Sequence, residues 1–169
     1  LGPLNGLFDI VSEQNGPGIA IVSQVITVPT NVTQATVSWL DRVQNFASVF
    51  SDPNQEFRVL LLDANMLPIQ EIFSTNPGDA LIQLGPNSRS FNLTSLLQTL
   101  EGTQVYLSIE EEDNMGFFNV SLDDVSFSIT ADSIQNVIQT AGQPSGSVFP
   151  VGTTTNTFTA TDASGNTST

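Results

Sequence analysis

The stretch whose reading decides the fold is QVYLSIEEEDNMGFFNVSLDDVSFSI, residues 104–129. Val105, Leu107 and Ile109 alternate with Gln104, Tyr106, Ser108 and Glu110, the period of two that a strand with one buried face requires. After the turn residues Asp113-Asn114-Met115-Gly116, Phe118, Val120 and Leu122 alternate with Asn119 and Ser121, so the two runs read as an antiparallel hairpin. The apolar parity then switches, because Val125, Phe127 and Ile129 are odd-numbered. A one-residue slip turns every side chain to the other face, so Asp123-Asp124 predicts either a β-bulge or a crossing between sheets.

Outward from this stretch the same period recurs. Strands are expected over 19–28, 32–40, 57–62, 69–73 and 125–129, punctuated by Pro29, Asp52-Pro53-Asn54, Asn76-Pro77-Gly78 and Gly85-Pro86-Asn87. Trp39 shares parity with Val37 and Val43, which places it in a core rather than on a surface. One segment departs: Leu93, Leu96, Leu97 and Leu100 fall at helical spacing, with Asn92 or Thr94 as the cap and Gly102 as the stop. A short helix or 3₁₀ turn linking two strands is expected in an otherwise all-β chain.

Composition limits the chemistry. Acidic residues number 17 against three arginines (Arg42, Arg58 and Arg89), a net charge of -14, and lysine, histidine and cysteine are absent. A field of that sign repels nucleic acid and anionic membrane surfaces, and no apolar run is long enough to span a bilayer. Without histidine or cysteine there is no Ser-His or Cys-His nucleophile pair, no zinc site of the usual ligands and no disulfide. Paired carboxylates remain, but no segment shows a convergent acid/base arrangement, so no enzyme is expected. The start at Leu1 rather than methionine points to a processed chain, and abundant serine and threonine to a secreted one.

The last stretch, Gly142 to Thr169, supplies apolar positions for two or three strands, too few to close a sandwich. An open sheet edge invites another chain to pair with it. Two units are therefore expected, 1–130 and 131–169, the second beginning where apolar density falls.

Two resemblances sharpen this. Residues 1–130 resemble the galactose-binding-like jelly-roll domains, many of which are carbohydrate-binding modules. Asn5-Gly6-Leu7-Phe8-Asp9 carries the likeness at the start, the leucine-containing turn from Asn92 to Leu100 in the middle, and Leu122-Asp123-Asp124-Val125-Ser126-Phe127 at the end. The resemblance implies an antiparallel β-sandwich and a structural Ca2+ held by Asp9 and one of Asp123 or Asp124, where a bulge would aim carboxylates at a cation; the competing reading is two solvated acids at a bend. Pro144-Ser145-Gly146-Ser147-Val148-Phe149-Pro150-Val151-Gly152-Thr153-Thr154-Thr155 and Thr159-Ala160-Thr161-Asp162-Ala163-Ser164-Gly165-Asn166 are similar to the second half of a hyalin-repeat (HYR) domain. That likeness implies an immunoglobulin-like β appendage of an extracellular, adhesive protein.

Other candidates follow from parity. Glu110-Glu111-Glu112-Asp113 reads as a charged hairpin tip, or else as a cation site. Gln104, Tyr106, Ser108 and Asn119 would share one polar face able to meet a glycan, or be an ordinary solvated face. The expected function is a non-catalytic extracellular structural or adhesive subunit that polymerises with its own copies by strand complementation. Thr157, Phe158, Thr159 and Ala160 form the assembly strand of that reading, and residues 4–11 are a second donor. The alternative is a calcium-stabilised carbohydrate-binding module of a larger secreted or cell-surface protein.

Overall fold

A computed structural model describes residues 2–14, 16–132, 134–162 and 165–169. Leu1, Ala163 and Ser164, on which part of the reading above falls, lie outside the described residues. The chain divides into two compact units, Leu1–Thr130 and Ala131–Thr169.

The first unit holds eight strands: β1 (Ile10–Gln14), β2 (Ile19–Thr27), β3 (Val32–Asn45), β4 (Gln55–Leu62), β5 (Pro68–Ser74), β6 (Ile82–Asn92), β7 (Gln104–Asp113) and β8 (Phe118–Ala131, whose last residue reaches the unit boundary). One sheet has the order β1-β8-β3-β6 and the other β2-β7-β4-β5. Two four-stranded antiparallel sheets with this alternation are a jelly roll. Their inner faces meet in one core: Val37, Trp39, Phe118 and Val120 from the first sheet pack with Phe57, Val59, Leu61, Val105 and Leu107 from the second. Trp39 stacks on Phe91 at 5.5 Å and meets the edge of Phe73 at 5.8 Å.

The expected hairpin of residues 105–109 and 118–122 does not form. β7 pairs with β2 and β4, whereas β8 pairs with β1, and the 114–117 connection crosses from one sheet to the other. Both runs bury one face in the same core, but from opposite sides. Buried Gln55 holds this crossing, accepting from the Met115 N–H (2.9 Å) and donating to the Gly116 carbonyl (3.1 Å).

Two further elements differ from their sequence expectation. β3 continues beyond residue 40 because Asp41, fully buried, is satisfied: it accepts from Trp39 Nε1 (2.9 Å), Arg89 Nε (2.8 Å) and Asn87 Nδ2 (2.8 Å). β6 is not among the expected strands, and it runs straight through Gly85-Pro86-Asn87, which reads as punctuation in the sequence. It is an edge strand, where a residue without an N–H is tolerated, and its register against β3 shifts between Asp41 and Val43. Gly85 has φ +58, and a Cβ there would meet the Asp41 carbonyl at 2.4 Å, so the bulge needs glycine.

The helix forms where it is expected but without the expected cap, since its N-cap is Leu93, whose apolar side chain makes no cap hydrogen bond. α1 (Thr94–Thr99) buries Leu97, Asn92 Oδ1 accepts the Thr94 N–H at 2.9 Å, and Gly102 has φ +76. The parity switch is also real, since Asp124 stands at φ +51 inside β8. The second unit is a single three-stranded antiparallel sheet of order β11-β10-β9, built from β9 (Ile134–Ala141), β10 (Thr157–Asp162) and β11 (Thr167–Ser168).

Candidate functional site

The acidic run is no hairpin tip. All four residues belong to β7, and Glu110, Glu111 and Asp113 are buried. Glu111 and Asp113 share the parity of Val105, Leu107 and Ile109 and so point between the sheets; Glu110 points to the outer face. There Glu110 accepts from Arg58 Nε (2.8 Å) and Ser108 Oγ (2.7 Å), and Arg58 Nη1 pairs with buried Glu56. Burial pushes Glu56 above the usual carboxylate range, against the pull of Arg58. On the inner face, Glu111 Oε2 accepts from Ser12 Oγ of β1, and Asp113 Oδ2 accepts from the Gly16 N–H. Glu111 Oε1 and Asp113 Oδ1 are buried without a partner. Burial, reinforced by the nearby Asp113 charge and opposed by the Ser12 hydroxyl, pushes the Glu111 carboxyl up to about 7.

Asp9, Asp123 and Asp124 do come together, lining one shallow pocket with Phe8 and Val125. Three of their oxygens accept hydrogen bonds from this chain. Asp123 accepts from the Asn5 N–H (2.9 Å) and the Asp124 N–H (2.7 Å), and Asp124 Oδ2 accepts from Asn5 Nδ2 (2.7 Å). Among the described residues no group of three or more acids has the geometry to hold a metal ion. Ca2+ wants six to eight oxygens, more than these three side chains supply by themselves. Asp123 and Asp124 tie the N-terminal segment to β8 through Asn5.

The expected glycan face is divided. Gln104, Tyr106 and Ser108 lie on β7, but Asn119 lies on β8 in the other sheet, paired with Glu13. Ser108 is fully buried beneath its neighbours and its hydroxyl is committed to Glu110. A groove of about 790 Å³ lies elsewhere, beside α1, where hydrogen-bonding side chains such as Gln34, Gln70, Asn92 and Thr94 line it together with the Glu71 carboxylate and apolar Phe91.

The two expected donor segments are already occupied. Thr157, Phe158, Thr159 and Ala160 lie in β10, the middle strand of its sheet, paired along their length with β9 and, at Ala160, with β11. Within residues 4–11, Leu4 is buried, and Ile10 and Val11 pair with β8. What stays open is different. In the second unit no described residue is buried, and Val137, Ile138, Val148, Phe149, Val151 and Phe158 are all exposed. In the first, Ile19, Ile21, Val22 and Val25 of β2 are each about half exposed. Sequence reasoning missed both edges, although a signal existed: residues 14–40 and 134–161 carry no charge at all in a chain of net charge -14.

Comparison with known proteins agrees with the reading of the tail. The HYR domain family model matches residues 105–169, beginning inside β7 and running through the whole second unit. HYR is a non-enzymatic, adhesion-type immunoglobulin-like module of extracellular and cell-surface proteins. No curated protein matches this chain. Among the described residues no helix is long and apolar enough to cross a membrane. The part of the chain from β7 onward is thus similar to an extracellular adhesion module.

Proposed function

We propose that this chain is a non-catalytic extracellular structural subunit that associates with copies of itself through open sheet edges. The observation that carries the reading is the second unit: three strands in one layer, apolar side chains on its surface and no buried residue among those described. A lone sheet of that size is marginal in water, and β-augmentation by another strand supplies the main-chain hydrogen bonds and apolar cover that it lacks. The HYR similarity supports an adhesive rather than a catalytic setting. Light scattering and electron microscopy on the protein test it. Concentration-dependent oligomers or filaments are expected; a monomer at all concentrations, in low and in physiological salt, would sink it.

A second reading, a glycan-binding module, is favoured by the groove beside α1, where amide and hydroxyl side chains and the Glu71 carboxylate stand beside the Phe91 ring. Its test is retention on a panel of insoluble polysaccharides, lost in Asn92→Ala.

A further inference from the structure

Among the described residues the six sheet edges are not equivalent. β1 carries Glu13; β5 carries Pro68 and Glu71; β6 carries Pro86 and Arg89; β11 is two residues long. Charge, proline and shortness are the devices that keep a sheet edge from pairing with a stranger. β2 and β9 have none of them. β2 is nine residues, IAIVSQVIT, and β9 is eight, IQNVIQTA; neither contains a charged residue or a proline, and each is the last strand of its sheet. Both expose apolar side chains near their centres, Val22 on β2 and Val137 and Ile138 on β9.

The charge distribution says which molecule covers them. With -14 on each chain, two copies repel wherever their acidic surfaces approach. Contact is least opposed where the edge strands carry no charge of their own, and the two longest uncharged tracts, 14–40 and 134–161, contain β2 and β9. Of the acids beside β2 on β7, Glu110 is paired with Arg58 and Glu111 is buried. Their lengths match to one residue, so pairing leaves almost no unpaired ladder at either end.

We infer that β2 of one copy pairs with β9 of the next, joining the β2-β7-β4-β5 sheet and the β11-β10-β9 sheet across the contact. This rests on the self-association proposed above and names its two surfaces. The contact is heterologous: each copy offers a β2 edge at one place and a β9 edge at another. Such a contact propagates as an open chain unless its rotation closes a ring.

The absence of cysteine makes the test clean. Val22→Cys and Ser23→Cys place a thiol on either face at the centre of β2, and Val137→Cys places one at the centre of β9. The central positions serve for either strand direction. Differently tagged single-cysteine proteins are mixed and oxidised. A disulfide between a β2 variant and the β9 variant is expected. Crosslinks only within the β2 variants, or only within the β9 variant, would overturn the edge assignment while leaving self-association standing. Monomers throughout would overturn both. Val25→Lys or Ile138→Lys, at side chains already exposed, should leave the circular dichroism of the monomer unchanged and raise the concentration needed for assembly about tenfold or more. Mixing Val25→Lys with Ile138→Glu should restore assembly; failure of that mixture with both variants folded would count against direct pairing.

Discussion

At the scale of single residues, Glu111 and Asp41 show two ways of burying a carboxyl. Asp41 is met by three donors, one of them the Arg89 guanidinium, which also lies 4.5 Å over the Phe73 ring. Removing that cation strands a buried charge, and Arg89→Ala should cost about 3 kcal/mol in chemical denaturation. Among the described residues Glu111 has only the Ser12 hydroxyl to offset its burial, and its carboxyl is raised from 4.5 to about 7. A carboxyl raised on folding contributes stability that is complete below its unfolded value and lost as pH climbs through its folded value. The melting temperature of the protein should therefore fall between about pH 4.5 and 7 on this account. Glu111→Gln should flatten that slope and stabilise the protein at about pH 8 by on the order of 3 kcal/mol. An unchanged slope in the variant would show the carboxyl to be solvated.

At the scale of elements, the informative positions are the irregular ones. Gly85 sits where β6 passes close to the Asp41 carbonyl, and Gly85→Ala should destabilise by about 1–3 kcal/mol without changing the fold, as measured by urea unfolding. Asp124 holds a left-handed backbone that re-aims β8, and together with Asp123 it binds Asn5. With three of the oxygens accepting N–H groups, calcium titration is expected to leave the melting temperature where it was; a saturable rise would establish the cation site. The even-to-odd parity switch in β8 was legible in the sequence as a backbone event, because it is local. The partner of β7 was not, because a strand of period two looks the same whichever sheet it joins.

At the scale of the molecule, the two units differ in what holds them. The first has a closed core between two sheets, and residues 1–130 expressed alone should melt within about 2 °C of the full chain. The second has one layer and no buried residue among those described, so residues 131–169 alone should give an unfolded amide spectrum. A native-like spectrum would remove the reason for proposing assembly. The net charge adds a salt dependence: raising ionic strength from about 0.01 to 0.1 M shortens the screening length from about 30 to 10 Å, and assembly should strengthen.

The sequence by itself determined the all-β class, most strand positions, the core parity of Trp39, the one short helix and the likeness of the tail to a hyalin repeat. Each is written within a window of about ten to thirty residues, as alternation, spacing or motif. Only the tertiary structure decided that β7 and β8 lie in different sheets, that Glu111 and Asp113 face inward, that Asn119 leaves the Tyr106 face, and that β2 and β9 are the unguarded edges. These depend on which strand lies beside which across a hundred residues of chain, and alternation along one strand carries no record of its neighbour.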